Sequence, residues 1–112
     1  MLSGGNSPYR RNFDDPDEVI ELEHLKSRTL TLGGLSLAYD IHEPGWRWKE
    51  PVRPVVGTEW CESRHAGFVI SGRVRIRLRD GSEFECRAGD TVDIPPGHDG
   101  WVIGDEGCVM VS

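Results

Sequence analysis

Short segments in which apolar and polar residues alternate follow one another along most of the chain. In residues 35–42, the side chains of Leu35, Leu37, Tyr39 and Ile41 alternate with smaller or polar ones, which is the period of two of a β-strand with unlike faces. Further extended segments, many of them bounded by glycine, are predicted near residues 29–32, 58–65, 67–71, 73–78, 82–87, 91–94, 100–103 and 107–111. Strands at this spacing, with turn residues between them, predict an all-β sandwich or small barrel.

One hairpin, residues 73–87, can be predicted down to its register. A two-residue turn at Asp80 and Gly81 would pair aliphatic residues with glutamates and mix the two faces. A three-residue loop that ends at Gly81 avoids this, because glycine readily takes the left-handed conformation that ends such loops. The predicted pairs are Arg77 with Glu83, Ile76 with Phe84, Arg75 with Glu85 and Val74 with Cys86. This register places Cys86 in the core.

The first 28 residues lack this regular alternation, so we divide the chain into an N-terminal arm, residues 1–28, and a barrel domain, residues 29–112. Asp15, Pro16 and Glu18 occur in the order typical of a helix start, with a capping side chain, a proline in the first turn and an acid three residues after the cap. Any helix that begins here is expected to be short. We expect a neighbouring subunit to help order the arm.

The composition excludes several classes of function. At 112 residues the chain suits one domain, and its 14 glycines and 7 prolines leave little room for long helices. Its net charge of −6 argues against binding to nucleic acid or anionic lipid. No apolar run approaches the ~20 residues of a membrane span, and residues 1–12 lack the apolar stretch of a secretory signal, so a cytoplasmic protein is expected. The three cysteines form no CxxC pair, which excludes a zinc ribbon and favours free thiols.

Metal-binding residue types are concentrated in residues 59–65. Along an extended segment Glu59, Cys61 and His65 share one face. Carboxylate, thiolate and imidazole all coordinate metal ions, and this spacing lets neighbours on a strand reach one ion. The alternative is a structural role, because buried thiols and histidines are common without a metal.

A second candidate is His98, which lies in the turn-forming residues 94–101. Two prolines and a glycine predict a tight turn that places His98 at the start of the following strand, and the adjacent Asp99 would orient its ring. The alternative is a plain turn with a polar tip. Of the other histidines, His24 is expected in solvent and His42 in a structural role.

The loop before Pro51 carries Trp46, Arg47 and Trp48, which are candidate ligand-binding residues. Two indole rings beside a guanidinium can stack on a flat ligand or clamp an anion. The alternative is that the rings cap a small barrel or bury a dimer contact.

From about residue 30 onward the chain resembles the cupin superfamily, whose first motif is G-x5-H-x-H-x(3,4)-E-x6-G. Gly72 matches its final glycine, His65 falls on its glutamate, and Glu59 and Cys61 fall on its two histidines. In the second motif, G-x5-P-x-G-x2-H-x3-N, the matching residues are Gly89, Pro95 and Gly97. The family histidine falls on Gly100, whereas this chain has His98 two residues earlier.

The chain also resembles a subgroup of small single-domain bacterial cupins that carry EPGWRW, H-x-G-[FY]-V-[IL]-S-G and PPGHD-x-WV-x-GDE. These strings occur here at residues 43–48, 65–72 and 95–106. The resemblance implies a double-stranded antiparallel β-barrel of the jelly-roll type. It also implies a homodimer, which an edge strand or an exchanged arm would fit.

Cupins typically hold a metal with three imidazoles and one carboxylate, which implies a mixed site of Glu59, Cys61, His65 and His98 in this chain. The two-residue offset keeps His98 on the strand face of Gly100, and a thiolate favours zinc or iron over magnesium. The resemblance therefore implies a small molecule bound at the barrel mouth with a divalent metal, with dioxygenase- or isomerase-like chemistry. The alternatives are a metal-free binding or sensing module without catalysis, and a structural partner in an oligomer.

Overall fold

The computed structural model describes residues 7–112, in which the chain forms two antiparallel sheets and one short helix. The elements are β1 (Glu18–Leu22), β2 (Leu25–Leu32), β3 (Leu35–His42), α1 (Arg53–Val56), β4 (His65–Ser71), β5 (Arg73–Leu78), β6 (Glu83–Arg87), β7 (Thr91–Ile94), β8 (His98–Val102) and β9 (Cys108–Val111). The large sheet has the strand order β1-β2-β3-β9-β4-β7, and the small sheet has the order β6-β5-β8. This confirms the all-β prediction and is consistent with a jelly-roll sandwich.

The core lies between the two sheets, because alternate side chains of each strand face the opposite sheet. Val69, Ile94 and Cys108 from the large sheet and Val74 and Cys86 from the small sheet are all almost completely buried. The packing of these side chains holds the two sheets together.

The predicted register of the hairpin formed by β5 and β6 is confirmed. Val74 is paired with Cys86, Ile76 with Phe84, and Arg77 with Glu83. Gly81 has the left-handed φ of 89° that the three-residue loop requires, and its N–H donates to the carbonyl of Leu78. On the outer face, the pairs Arg75–Glu83 and Arg73–Glu85 form ion pairs across the hairpin, with N–O distances of 2.7 and 3.4 Å.

The N-terminal region differs from the predicted arm, since residues 18–28 belong to β1 and β2 of the large sheet. Residues 1–6 of the arm lie outside the described residues. The expected helix start at Asp15 is a turn, closed by its N–H donating to Asn12 O. The Asp17 carboxylate accepts the N–H of Thr31 on β2 at 3.0 Å. Asp17 therefore contacts the large sheet, and no helix begins in this segment.

The segment between β3 and β4 also differs from the prediction. Proline in its first turn begins α1, and Gly57, with a left-handed φ of 77°, ends it. Residues 58–64, which were expected to be extended, form a loop with one isolated bridge between Cys61 and His98. Within residues 7–112 the helical segment α1 is far too short and polar to cross a bilayer.

Candidate functional site

A cavity of about 430 Å³ lies between the two sheets and is walled mainly by apolar side chains. The large sheet contributes Leu25 and Met110, the small sheet contributes Val74 and Ile76, and α1 contributes valines that overhang the cavity. The polar residues on its wall are Ser27, Asp40, His42, Thr58, Cys61, Glu62, Ser63, His65, His98 and Ser112. The cavity is therefore suited to a small and largely apolar ligand.

Three of the residues predicted to bind metal converge on this cavity. The Sγ atom of Cys61 and one ring nitrogen each of His65 and His98 all lie within 4.8 Å of one another. Cys61 Sγ is 3.7 Å from His65 Nε2, and the two imidazole rings meet edge to face with centroids 5.1 Å apart. His65 begins β4 and His98 begins β8, so the cluster joins the two sheets.

The turn before β8 sets the orientation of His98. The N–H of Gly97 donates to Cys61 O at 2.7 Å, and the N–H of Cys61 donates to His98 O at 2.8 Å, which fixes the thiol beside the imidazole. His98 Nδ1 lies 2.7 Å from Pro95 O. Because a carbonyl only accepts hydrogen bonds, Nδ1 carries the proton and Nε2 of the neutral ring keeps its lone pair. A backbone carbonyl on the second nitrogen is the usual arrangement behind a metal-binding histidine.

Asp99 does not take the role predicted for it. Its Oδ1 accepts the N–H of Gly100 at 2.8 Å, and its Oδ2 lies 3.8 Å from Lys49 Nζ. Adjacent residues of a strand point to opposite faces, so Asp99 turns away from the side of β8 that carries His98. Pro95 O takes its place as the acceptor.

Burial makes all three potential ligands neutral in the absence of an ion. It raises the pKa of the Cys61 thiol, against weaker opposing hydrogen bonds from Ser63. It lowers the pKa of His65, which the neighbouring His98 lowers further. Burial also lowers the pKa of His98, which Pro95 O partly offsets. A metal that binds here therefore displaces one proton, from the thiol, while both imidazoles are ready to coordinate.

The donor set fits a borderline or soft divalent metal. For tetrahedral zinc, bonds of about 2.3 Å to sulfur and about 2.0 Å to nitrogen place the two donors about 3.5 Å apart, and the distance between Cys61 Sγ and His65 Nε2 is 3.7 Å. Three protein ligands leave one coordination position open, as in catalytic zinc sites. Cys61, His65 and His98 can therefore hold such an ion beside the cavity.

The structure does not bring Glu59 to this cluster. Glu59 is exposed, and the wall of the cavity carries Glu62 instead. The reason is local, because residues 58–64 form a loop and the two-residue alternation of a strand does not apply to them. Glu62 forms an ion pair with Arg79.

The two tryptophans and the arginine of the loop before Pro51 point in different directions. Trp46 and Trp48 are 8% and 4% exposed and line the cavity as part of the core. Arg47 is exposed and lies over the ring of Trp101, with its Cζ 5.8 Å from the centroid. The loop runs beside β8, because Trp48 N donates to Gly100 O and Val102 N donates to Trp46 O. Strand-like alternation thus separates the rings from the guanidinium.

Sequence reasoning overlooked one polar residue of the cavity, Asp40, and assigned a second one, His42, to a structural role. Both lie on β3 and line the wall, and His42 is 8% exposed, with Nδ1 3.0 Å from Cys108 O and its ring against Trp46. The available signal was the two-residue period of β3, whose polar phase faces inward while Tyr39 packs outside against Phe13.

Comparison with known proteins decides the family. The family of EutQ-like cupin domains matches residues 46–109. The chain belongs to this cupin family. This confirms the resemblance to cupins, and no curated protein sequence matches the chain significantly.

Solved structures of the same fold include two oxalate decarboxylases. The enzyme from Lactobacillus farciminis, in a formate complex, is 21% identical with a TM-score of 0.63 over 88% of this chain and 30% of its own. The enzyme from Bacillus subtilis, described with Mn(II) centres, is 24% identical with a TM-score of 0.61 over 99% of this chain and 32% of its own. The cupin therefore spans about a third of either enzyme.

A third neighbour is similar to this cupin in length as well as in fold. A protein of unknown function from Acidithiobacillus ferrooxidans is 19% identical, with a TM-score of 0.60 over 87% of each chain. At these identities the three structures show the shared fold alone.

At Gly100, the position where cupins usually carry a histidine, any side chain would require Ile76 to shift by a few tenths of an ångström. A Cβ atom on Gly100 would lie 3.1 Å from Ile76 Cδ1 and 3.8 Å from Trp46 Cζ3. Both side chains belong to the core of this cupin. His98 and Gly100 both line the cavity, which agrees with the expectation that the two-residue offset keeps His98 on the same strand face.

Proposed function

We propose that this cupin binds a divalent metal through Cys61, His65 and His98 and binds a small molecule in the adjoining cavity. The observation that carries the proposal is the convergence of a thiol and two imidazoles within 4.8 Å at an apolar cavity. Zinc or iron suits these donors best, because thiolate and imidazole favour them, whereas carboxylate-rich sites suit manganese or magnesium.

If the bound molecule is a substrate, the proposed reaction is of the dioxygenase or isomerase type. When bound, the metal would supply a Lewis acid with an open position for a ligand oxygen. Trp46, Trp48 and Ile94 would exclude water from the ligand, since they wall the cavity and are nearly fully buried. Pro95 O would hold the proton of His98 on Nδ1, so that Nε2 stays available to the metal.

The metal proposal predicts that the protein purified from medium supplied with zinc and iron contains about one equivalent of metal by elemental analysis. Cys61→Ser and His65→Ala are expected to lose it, because two remaining ligands hold an ion poorly. The matched control is His24→Asn, a histidine outside the cavity at a left-handed φ of 61° that asparagine tolerates. Folded wild-type protein without metal under these conditions would contradict the proposal.

The alternative is a metal-free binding module without catalysis. One observation favours it, because Cys61 Sγ and His65 Nε2 are close enough for a weak hydrogen bond without an ion. The two proposals separate on chelation. Ligand binding that persists unchanged after the metal is removed would favour the module.

We also propose that the protein is a cytoplasmic homodimer that pairs through the outer face of the large sheet. Phe68 and Ile70 on β4 are 46% and 45% exposed there, and Phe68 lies opposite Val111 of β9, which in turn pairs with Tyr39 of β3. Each copy carries a net charge of −6. An apolar patch formed by Phe68 and Ile70 is where two such copies meet with least repulsion, and the same patch on both copies gives a closed two-fold dimer.

The dimer proposal predicts a molar mass in solution twice that of the 12.5 kDa chain, measured by light scattering during size exclusion. Phe68→Lys is expected to give the monomer mass, because it places two like charges in the apolar contact. Val55→Lys, at an apolar position on α1 that is 68% exposed, serves as the control and should stay dimeric. A wild-type monomer at micromolar concentration would refute the proposal.

A further inference from the structure

The cavity wall carries carboxylates but no cationic side chain. Among the described residues that line it, Asp40 and Glu62 are acidic and none is lysine or arginine. Arg79 already forms an ion pair with Glu62. Within residues 7–112, the Asp40 carboxylate has no hydrogen-bond or ion-pair partner of its own, and its electrostatic neighbours are His42 and His65.

Asp40 is placed where a ligand in the cavity can reach it. It lies in the middle of the large sheet, paired with Ser27 of β2 on one side and Met110 of β9 on the other, and all three residues line the cavity. Asp40 lines the same cavity as Cys61, His65 and His98 of the metal-binding cluster. A ligand beside the cluster can therefore contact Asp40 as well.

The charges of this region do not favour an anionic ligand. A divalent ion, one thiolate from Cys61 and the carboxylate of Asp40 together have no net charge. Without the ion, the charged side chains on the cavity wall are the carboxylates of Asp40 and Glu62, and Glu62 already pairs with Arg79. Without the ion, a carboxylate ligand would lose its hydration beside Asp40 without gaining a cationic side chain, which is unfavourable in an apolar site.

We propose that Asp40 is a specificity-determining residue that accepts a hydrogen bond from the ligand. The cavity then takes a compact molecule with an apolar body and a hydroxyl or protonated amine directed at Asp40, and it discriminates against carboxylates. This inference rests on the small-molecule binding proposed above. It places the ligand class apart from formate, the molecule in the complex of the Lactobacillus farciminis enzyme.

The test compares benzylamine, benzyl alcohol and benzoate, which share one ring and differ in the polar group. Binding is measured by calorimetry on the protein as purified and again after chelation. After chelation, when no metal ion is left to coordinate the carboxylate of benzoate, benzylamine and benzyl alcohol are expected to bind more tightly than benzoate. Asp40→Asn is expected to weaken benzylamine by about tenfold, because a hydrogen bond to a charged acceptor is lost, and to leave benzoate unweakened.

Asp105→Asn is the matched control, since it makes the same change in charge at an exposed residue away from the cavity. It should leave all three affinities unchanged. After chelation, tighter binding of benzoate than of benzylamine, or an equal loss of benzylamine affinity in both variants, would overturn the proposal. Failure of all three probes to bind at millimolar concentration would overturn it too. Metal content is measured on the same samples, so a protein without metal that still prefers benzylamine separates this inference from the metal proposal.

Discussion

Replacing Gly72 with alanine is expected to lower the free energy of unfolding by about 3 kcal/mol or more. Gly72 has a φ of 76°, which alanine adopts only with strain. A Cβ atom at this position would lie 2.1 Å from Gly107 O and 2.7 Å from Cys108 Cα. Both atoms belong to the main chain at the start of β9, so a shift of backbone is needed to relieve the clash.

Gly81→Ala is the matched control for this prediction. Gly81 also has a left-handed φ, 89°, but nothing lies within 4 Å of its added Cβ, so only strain of about 1 kcal/mol is expected. Urea denaturation of both variants and the wild type measures the two losses, and their difference reports the close approach of β9. Equal losses in the two variants would show that the contact with Gly107 has no part in the effect.

The same glycine shows what a sequence motif contains and what it omits. Gly72 was predicted as the last residue of the first cupin motif from its spacing alone. The physical reason lies 35 residues away, where the backbone of Gly107 and Cys108 passes against it. One sequence records that a residue is glycine at this spacing, but not which distant strand occupies the space of its missing side chain.

Local features were predictable where the rule that decides them is local. The register of residues 73–87 follows from keeping Val74 and Ile76 on one face with Cys86, and the structure has that register. The N-terminal region was harder, because Asp15 and Pro16 resemble a helix start in isolation. Pairing of residues 18–22 with β2 outweighs that local preference, since the sheet supplies hydrogen-bond partners along the whole strand.

The candidate site likewise has one part that could be predicted from the sequence and one part that could not. The turn containing Pro95 and Gly97 was recognisable, and it positions His98. The loop between α1 and β4 was predicted as a strand, which placed Glu59 beside Cys61. In the structure, a β-bridge between Cys61 and His98 brings these two residues together. The spacing of residues in the sequence does not predict this contact.

Lowering the pH from 6.5 towards 5 is expected to destabilise the protein in the presence of a chelator, and His42 is expected to contribute to the loss. Burial lowers the pKa of His42 below its ordinary value of 6.5, against opposing effects of Asp40 and Cys108 O, and His65 also lies nearby. Below pH 6.5 the unfolded chain takes up a proton at His42 that the folded chain does not bind. Stability is therefore full above pH 6.5 and falls as the pH drops, by up to about 1.4 kcal/mol per pH unit from this residue.

His42→Asn should remove that part of the pH dependence, because asparagine can still donate a hydrogen bond to Cys108 O and does not titrate. His24→Asn makes the same replacement at a partly exposed histidine and should leave the slope close to that of the wild type. Urea denaturation at several pH values between 5 and 6.5 keeps clear of carboxylates such as Asp17 and Asp93, whose pKa values are lowered from 3.8. A slope that is the same in all three proteins would show that His42 is protonated as readily in the folded chain as in the unfolded one. In that case its burial beside Trp46 and Cys108 would not keep the imidazole neutral.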